Sequence, residues 1–245
     1  MTQYQLRIAA TAEDLARQAS EQVASAIDLA LAQRDRAQIA LAGGETPRAT
    51  YLRLGGEHLP WERVDVLLGD ERWVPADDPA SNALMLRETL LAQAPALHAG
   101  FHPVPTAESS PAASAEAYAR VLAGLCPGSP PRFDVILLGL GDDGHTASLF
   151  PGSPALADTQ RSVTVGEGKG LPRITLTAPV LSAARKVIFL VSGAGKRQAL
   201  QRLLDPAEPV ERTPARLVQP ASEVVILADA AAAEGVTPPA RHAQA

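Results

Sequence analysis

Five short, almost unbroken apolar runs constrain the fold of this chain more than any other feature. They are Ala37–Ala42, Val64–Leu68, Phe133–Leu138, Val187–Val191 and Val224–Leu227. A half-exposed strand alternates apolar and polar residues. Runs without that alternation suit strands covered on both faces, as in a parallel sheet. Amphipathic stretches of helical length lie between them. Ala12–Ala32 is the longest, with Leu15, Ala19, Val23, Ile27 and Ala30 on one stripe; Asn82–Gln93, Ala112–Leu125 and Ala194–Leu204 are the others. The alternation predicts an α/β architecture with right-handed crossovers. Only 4% of residues are aromatic, so the core must be built from Ala, Leu, Val and Ile. Gly100–Pro111 and Pro151–Pro172, rich in Pro, Gly, Ser and Thr, read as loops over a binding face. With 245 residues, no internal repeat and no linker, one domain over 1–233 is expected. The segment 234–245 has no periodicity and is expected to fray.

A hydrophobic fraction of 46% with 20% charged residues excludes wholesale disorder. Lys+Arg 22 against Asp+Glu 27 gives a net charge of −5. That balance argues against a nucleic-acid partner, which needs a basic face, but leaves room for a small anion held by a few local cations. A single cysteine, Cys126, cannot close an internal disulfide, which points to the cytoplasm. The N-terminus lacks the apolar stretch of a signal peptide. No apolar run approaches the ~20 residues of a membrane span. A cytoplasmic monomer without membrane partner is expected.

In open α/β sheets ligands gather beyond the carboxyl ends of the strands. The first run continues into LAGGETP. Gly43 and Gly44 let successive N–H groups converge on an anion, and Pro47 suits the start of a helix whose N-terminus favours negative charge. The segment also suits a plain βα turn, and Glu45 would have to point away from any phosphate. The second run leads into GDERWVPADDPASN. Asp70, Glu71 and Arg72 could aim alternate side chains into a cleft; they also suit a solvated charge cluster, with Arg72 stacked on Trp73 at the surface.

The third run leads into GLGDDGHTASLFPG. Gly139-x-Gly141-x-x-Gly144 formally matches a dinucleotide fingerprint. However, Asp142 and Asp143 would lie against the pyrophosphate, and Pro151 cuts short the helix that should follow. Ser148 lacks the GxSxG context of a nucleophile. His145 remains, on a glycine-permitted turn with Asp143 two residues earlier; it is a candidate for proton transfer as well as for a structural role. After the fourth run, Gly193 and Gly195 open a helix with Lys196 in its first turn. A lysine there opposes the helix dipole unless an anion shares the N-terminus. Arg173, in PRITLTAPV, adds a cation near the same edge. His98 and His102 have helical spacing, but Gly100 and Pro103 disfavour a helix and no HExxH occurs, so no metal site is expected. Cys126 has no partner cysteine or activating histidine and reads as inert.

Taken in order, these segments resemble the 6-phosphogluconolactonase family. LAGGETP is similar to its GGxTP phosphate loop, GDERWVPADDPASN to its DERxV…SN stretch, and GLGDDGHTASLFPG to its GxGxDGHTASLFPG signature. RITLTAPVLSAARKVIFLVSGAGKRQAL is similar to its RxT…GxxK block. The matches run from Leu41 to Leu200. The wider superfamily includes glucosamine-6-phosphate deaminase, whose pattern has Tyr where this chain has Arg72. The deaminase also carries a catalytic glutamate where this chain reads Ser148-Leu149-Phe150-Pro151. Glu45 replaces a commoner small residue, and Gly166–Leu171 is a loose version of a loop that is often Lys/Pro-rich.

The resemblance implies a three-layer α/β/α Rossmann-like, mostly parallel sheet with a small additional lobe. It implies hydrolysis of 6-phospho-D-glucono-1,5-lactone to 6-phosphogluconate in the pentose phosphate pathway, the partner being that small phosphorylated sugar lactone. The expected catalytic set is His145, Asp143, Arg72 and Asp70. His145 would be general base on water, Asp143 would orient it, and Arg72 would steady the oxyanion. In a deaminase or isomerase, Asp70 would instead abstract a carbon-bound proton. Gly43, Gly44, Thr46, Arg173 and Lys196 would hold the 6-phosphate. This chemistry requires no metal or organic cofactor. A sugar-phosphate sensor is the alternative outside enzymology, though a sensor has no need of His145.

Overall fold

The computed structural model describes residues 2–237. Its main sheet contains β1 (Tyr4–Ala9), β2 (Ala37–Leu41), β3 (Val64–Leu68), β5 (Gly100–Phe101), β6 (Val135–Gly139), β9 (Val187–Val191) and β10 (Val224–Asp229). These seven strands lie in the order β1-β10-β9-β6-β2-β3-β5, and every neighbouring pair is parallel. β2, β3 and β9 are buried along their whole length, as their unbroken apolar runs predict. The helices are α1 (Ala12–Leu31), α2 (Arg48–Gly55), α3 (Asn82–Glu88), α4 (Pro111–Leu125), α5 (Ala178–Ala183), α6 (Arg197–Leu204) and α7 (Ala230–Ala233). α1 starts where the Thr11 hydroxyl accepts a hydrogen bond from the Asp14 N–H, and it buries the predicted stripe of Leu15, Ala19, Val23, Ile27 and Ala30. None of the helices is long and apolar enough to cross a membrane among the described residues.

After β2 the chain moves outward through β3 to β5, then returns beside β2 with β6 and moves outward the other way. The order therefore reverses between β2 and β6. That switch point opens a crevice at the carboxyl ends of both strands, the place where such sheets hold ligands. The opposite edge is stitched by charge. Buried Asp65 accepts from Arg36 through both oxygens, at 2.7 and 2.8 Å. Asp134 pairs with Arg34, and with Arg185 at 3.3 Å. These ion pairs and the crevice thus sit at opposite ends of the strands.

A second, antiparallel sheet joins β4 (Asp70–Arg72), β8 (Leu171–Leu176) and β7 (Val163–Gly168) in that order. It corrects the reading of Pro151–Pro172 as loop. Gly166 and Gly168 disguise β7, but both are needed there. A Cβ on Gly166 would meet the Ser148 carbonyl oxygen at 2.5 Å, and one on Gly168 would meet the Phe150 ring at 2.3 Å. Gly100–Pro111 is loop apart from the short β5 and Pro111, which begins α4. β1 has no counterpart in the sequence reading, because an edge strand with exposed Arg7 and Ile8 lacks an apolar run.

Two helix boundaries also shift. α3 ends at Glu88, not Gln93, where Thr89 leaves helical geometry and its hydroxyl donates to the Met85 carbonyl at 2.7 Å. Ala194–Lys196 forms a single 3₁₀ turn, so Lys196 precedes α6 and does not lie in its first turn. Beyond Thr237, the expectation of a frayed tail lies outside the described residues.

Candidate active site

The crevice between β2 and β6 is lined by Gly43, Gly44, Thr46, Asp70, Arg72, His145, Arg173 and Lys196, together with Asn82, Lys169 and Ser192. Four loops far apart in sequence converge here, and all the expected site residues except Asp143 face the cavity. Asp143 touches His145 from outside.

The loop after β2 turns sharply at Gly44, whose φ of +104° is open to glycine at little cost. Gly43 has no room for a side chain, since a Cβ would lie 1.7 Å from Oδ1 of Asn82. Glu45 does turn outward, toward Arg48 at 3.8 Å. Pro47 stands just before α2, whose first N–H, that of Arg48, donates to the Glu45 carbonyl at 3.2 Å.

β4 separates its three side chains by the two-residue period of a strand. Asp70 and Arg72 face the cavity, while Glu71 turns to the start of α3. Glu71 is buried and accepts from the N–H groups of Arg72, Asn82 and Ala83 at 2.8, 2.7 and 2.8 Å. Burial pushes its carboxyl up, and these backbone donors offset part of that rise. A solvated charge cluster is therefore overturned. The surface stack is too: the Trp73 indole donates to the Ser114 hydroxyl at 3.0 Å and packs on the core.

Asp70 accepts from the Ser148 hydroxyl at 2.5 Å and lies 3.9 Å from Arg173. Both contacts use Oδ2; Oδ1 lies 3.5 Å from the Asn82 amide nitrogen. Arg72 donates from Nη1 to the Ala80 carbonyl and to Oδ1 of Asn82, each at 2.7 Å. Arg72 and Arg173 are direct partners across β4 and β8. Like charges so placed repel. Burial and then Arg72 lower the pKa of Arg173, while Asp70 opposes them. A bound anion would relieve that repulsion.

His145 follows Gly144, whose φ of +90° turns the chain back on itself. The turn closes when Gly141 N–H donates to the His145 carbonyl at 2.8 Å and Ala215 N–H donates to the Gly144 carbonyl at 3.0 Å. The imidazole Nδ1 lies 2.5 Å from Asp143 Oδ1, which also accepts from the His145 N–H at 3.0 Å. Burial would raise the Asp143 carboxyl, but the His145 contacts outweigh it and hold it at about 2. Nε2 has no hydrogen-bond partner among the described residues. One face of the ring rests on Phe150, with centroids 4.3 Å apart.

Gly193, at φ +94°, is fixed by its N–H donating to Asp229 at 3.0 Å. That loop presents Lys196, 4.0 Å from Asp142. Sequence reasoning misses Asn82 and Lys169. Asn82 closes a quoted motif without showing what it holds. Lys169 caps the β7–β8 hairpin in a left-handed conformation, and its one signal was the scarcity of lysine, at three in the chain. Cys126 is buried, and burial with Asp65 and Asp134 nearby pushes its thiol up to about 12.

A parallel sheet with a cationic crevice at its switch point, built from these loops, defines the class. The chain belongs to the family of glucosamine-6-phosphate isomerases/6-phosphogluconolactonase, whose model matches residues 10–227. Among relatives, the 6-phosphogluconolactonase of Synechocystis sp. is 45% identical over 219 residues, covering 88% of this chain and 91% of its own. The solved 6-phosphogluconolactonase of Trypanosoma brucei superposes with a TM-score of 0.85 at 34% identity, over 97% of this chain and all of its own. A monomeric glucosamine-6-phosphate deaminase superposes with a TM-score of 0.78 at 21% identity over 95% of this chain and 99% of its own, a likeness of fold alone.

Proposed function

We propose that this protein hydrolyses 6-phospho-D-glucono-1,5-lactone to 6-phosphogluconate, with His145 as general base, in the cytoplasmic pentose phosphate pathway. One observation carries the reading: an imidazole tied at Nδ1 to an ionised carboxylate, with Nε2 unengaged among the described residues, in a cavity walled by Arg72, Arg173, Lys169 and Lys196. A lactone carbonyl is already electrophilic. Hydrolysis needs only a delivered water and a stabilised oxyanion. Nε2 takes a proton from water as its oxygen attacks C1, and Asp143 stabilises the resulting imidazolium. The proton then passes to the ring oxygen as the C1–O bond breaks, leaving a carboxylic acid that ionises in water.

Arg72, held by Asn82 and Ala80, is the cation for the developing oxyanion. Arg173 and Lys196 hold the 6-phosphate with the N–H groups of Gly43 and Gly44 and the Thr46 hydroxyl. Asp70 positions Arg173. Binding at the phosphate positions the ring for attack. The deaminase reading loses ground because Arg72 stands where the deaminase pattern has Tyr, and Ser148-Leu149-Phe150-Pro151 stands where it carries a catalytic glutamate. Turnover of freshly generated lactone, corrected for spontaneous opening, is the test. Enzyme-dependent acid release is expected. Ammonia release from glucosamine 6-phosphate, or binding of 6-phosphogluconate without lactone turnover, would overturn the proposal.

A further inference from the structure

Asp143 holds the His145 imidazole at one nitrogen, and a single hydrogen bond leaves a ring free to rock about it. Phe150 meets that freedom. The two rings stand 4.3 Å apart, tilted by 33°, and Phe150 is 7% exposed. Phe150 has little freedom of its own. β7 passes so close that a Cβ on Gly168 would lie 2.3–2.6 Å from its ring carbons. The Arg173 guanidinium also lies over the Phe150 ring, 5.4 Å from its centroid. Arg173 has further holds, on the Gly168 carbonyl at 3.3 Å and near Asp70 at 3.9 Å. The His145 ring has Asp143 and the Gly141 backbone at its Nδ1 side, where a Cβ on Gly141 would lie 2.0 Å from Nδ1, and Phe150 on its face.

We infer that Phe150 is a positioning residue for the reaction. Wedged between the β7 backbone and the imidazole, it fixes the plane of the His145 ring and hence the direction of Nε2 in the cavity. The inference rests on His145 as the base. Misplacing a reacting group by about 1 Å can cost on the order of 10² in rate, so a ring that rocks is an expensive defect.

A double-mutant cycle on kcat tests it. Phe150→Leu keeps an apolar side chain and is expected to lower kcat about tenfold. KM should stay within about twofold, because Arg173 keeps its other holds. In a His145→Ala background the same substitution should change kcat by less than about twofold, since no imidazole remains to be positioned. An unchanged kcat in Phe150→Leu overturns the inference, as does a tenfold loss that persists without His145. Near-normal kcat in His145→Ala alone overturns the base itself, a separate failure.

If Phe150→Leu folds poorly, Gly168→Ala asks the same question from behind the ring. Gly168 has no left-handed φ, so alanine is compatible with its backbone, and the new methyl must displace Phe150. The expected result is a lower kcat together with a moved ring-current shift of the His145 ring protons by NMR. Unmoved signals with unmoved kcat overturn the inference.

Discussion

At His145 the neighbours act on different parts of one ring: Asp143 takes Nδ1, the Gly141 backbone packs beside it, and Phe150 takes a face. The Asp143 carboxyl, held at about 2, is ionised throughout the range in which the enzyme would work. A carboxyl lowered in the folded state contributes fully above its ordinary value and loses that contribution as pH falls through the lowered one. At neutral pH its hold on the imidazole is therefore complete. Asp143→Asn keeps the shape of the side chain but loses its charge, and is expected to lower kcat less than a variant lacking the ring. A kcat loss as large as that of His145→Ala would contradict a merely orienting role for Asp143. Arg72 carries a different expectation. If it serves the oxyanion, Arg72→Ala loses kcat on both 6-phosphogluconolactone and the unphosphorylated lactone. A loss confined to KM for the phosphorylated lactone would move Arg72 to the phosphate. Both residues were legible in the sequence because each stands where an apolar run breaks into glycines and charge. Phe150 was not, because its role depends on Gly168, eighteen residues on and disguised as loop.

Elements divide the work between the two ends of the sheet. The carboxyl ends carry loops and cations; the amino ends carry buried acids paired with more exposed arginines, such as Asp65 of β3 with Arg36. Burial would raise the Asp65 carboxyl, but Arg36, His102 and Gln38 bring it below its ordinary value. Its contribution to stability is thus present above the ordinary carboxylate range, near 4, and fades as pH falls further. Asp65→Asn is expected to cost about 2 kcal/mol at pH 7, the scale of a lost charge-assisted hydrogen bond. In urea unfolding, the gap between wild type and variant should close below about pH 4. A gap that widens in acid would contradict the direction of the shift. Lactone turnover should be untouched at neutral pH, because this edge lies across the sheet from the cavity. The second sheet shows why elements can hide. β7 carries Gly166 and Gly168 for close approach to Ser148 and Phe150, and those glycines erase the apolar pattern that marks a strand.

The whole molecule follows from a reversal in strand order that no local pattern encodes. Each buried strand announces itself by composition, yet the order β1-β10-β9-β6-β2-β3-β5 depends on which crossovers pack, and that is decided by tertiary contacts. The loops that line the crevice were nevertheless legible in the sequence, because they follow strands with glycine, proline and charge. Edge strand β1 escaped for the opposite reason: solvent on one side removes the need for an apolar run. The reversal sets the loops after β2 and β6 side by side, and the second sheet brings Arg72 and Arg173 over them. The chemistry proposed for that crevice stands on one side chain. kcat of His145→Ala on freshly generated 6-phosphogluconolactone, corrected for spontaneous opening, is expected to fall by roughly 10²–10⁴ with the fold and 6-phosphogluconate affinity intact. A near-normal kcat in that variant would contradict a histidine base.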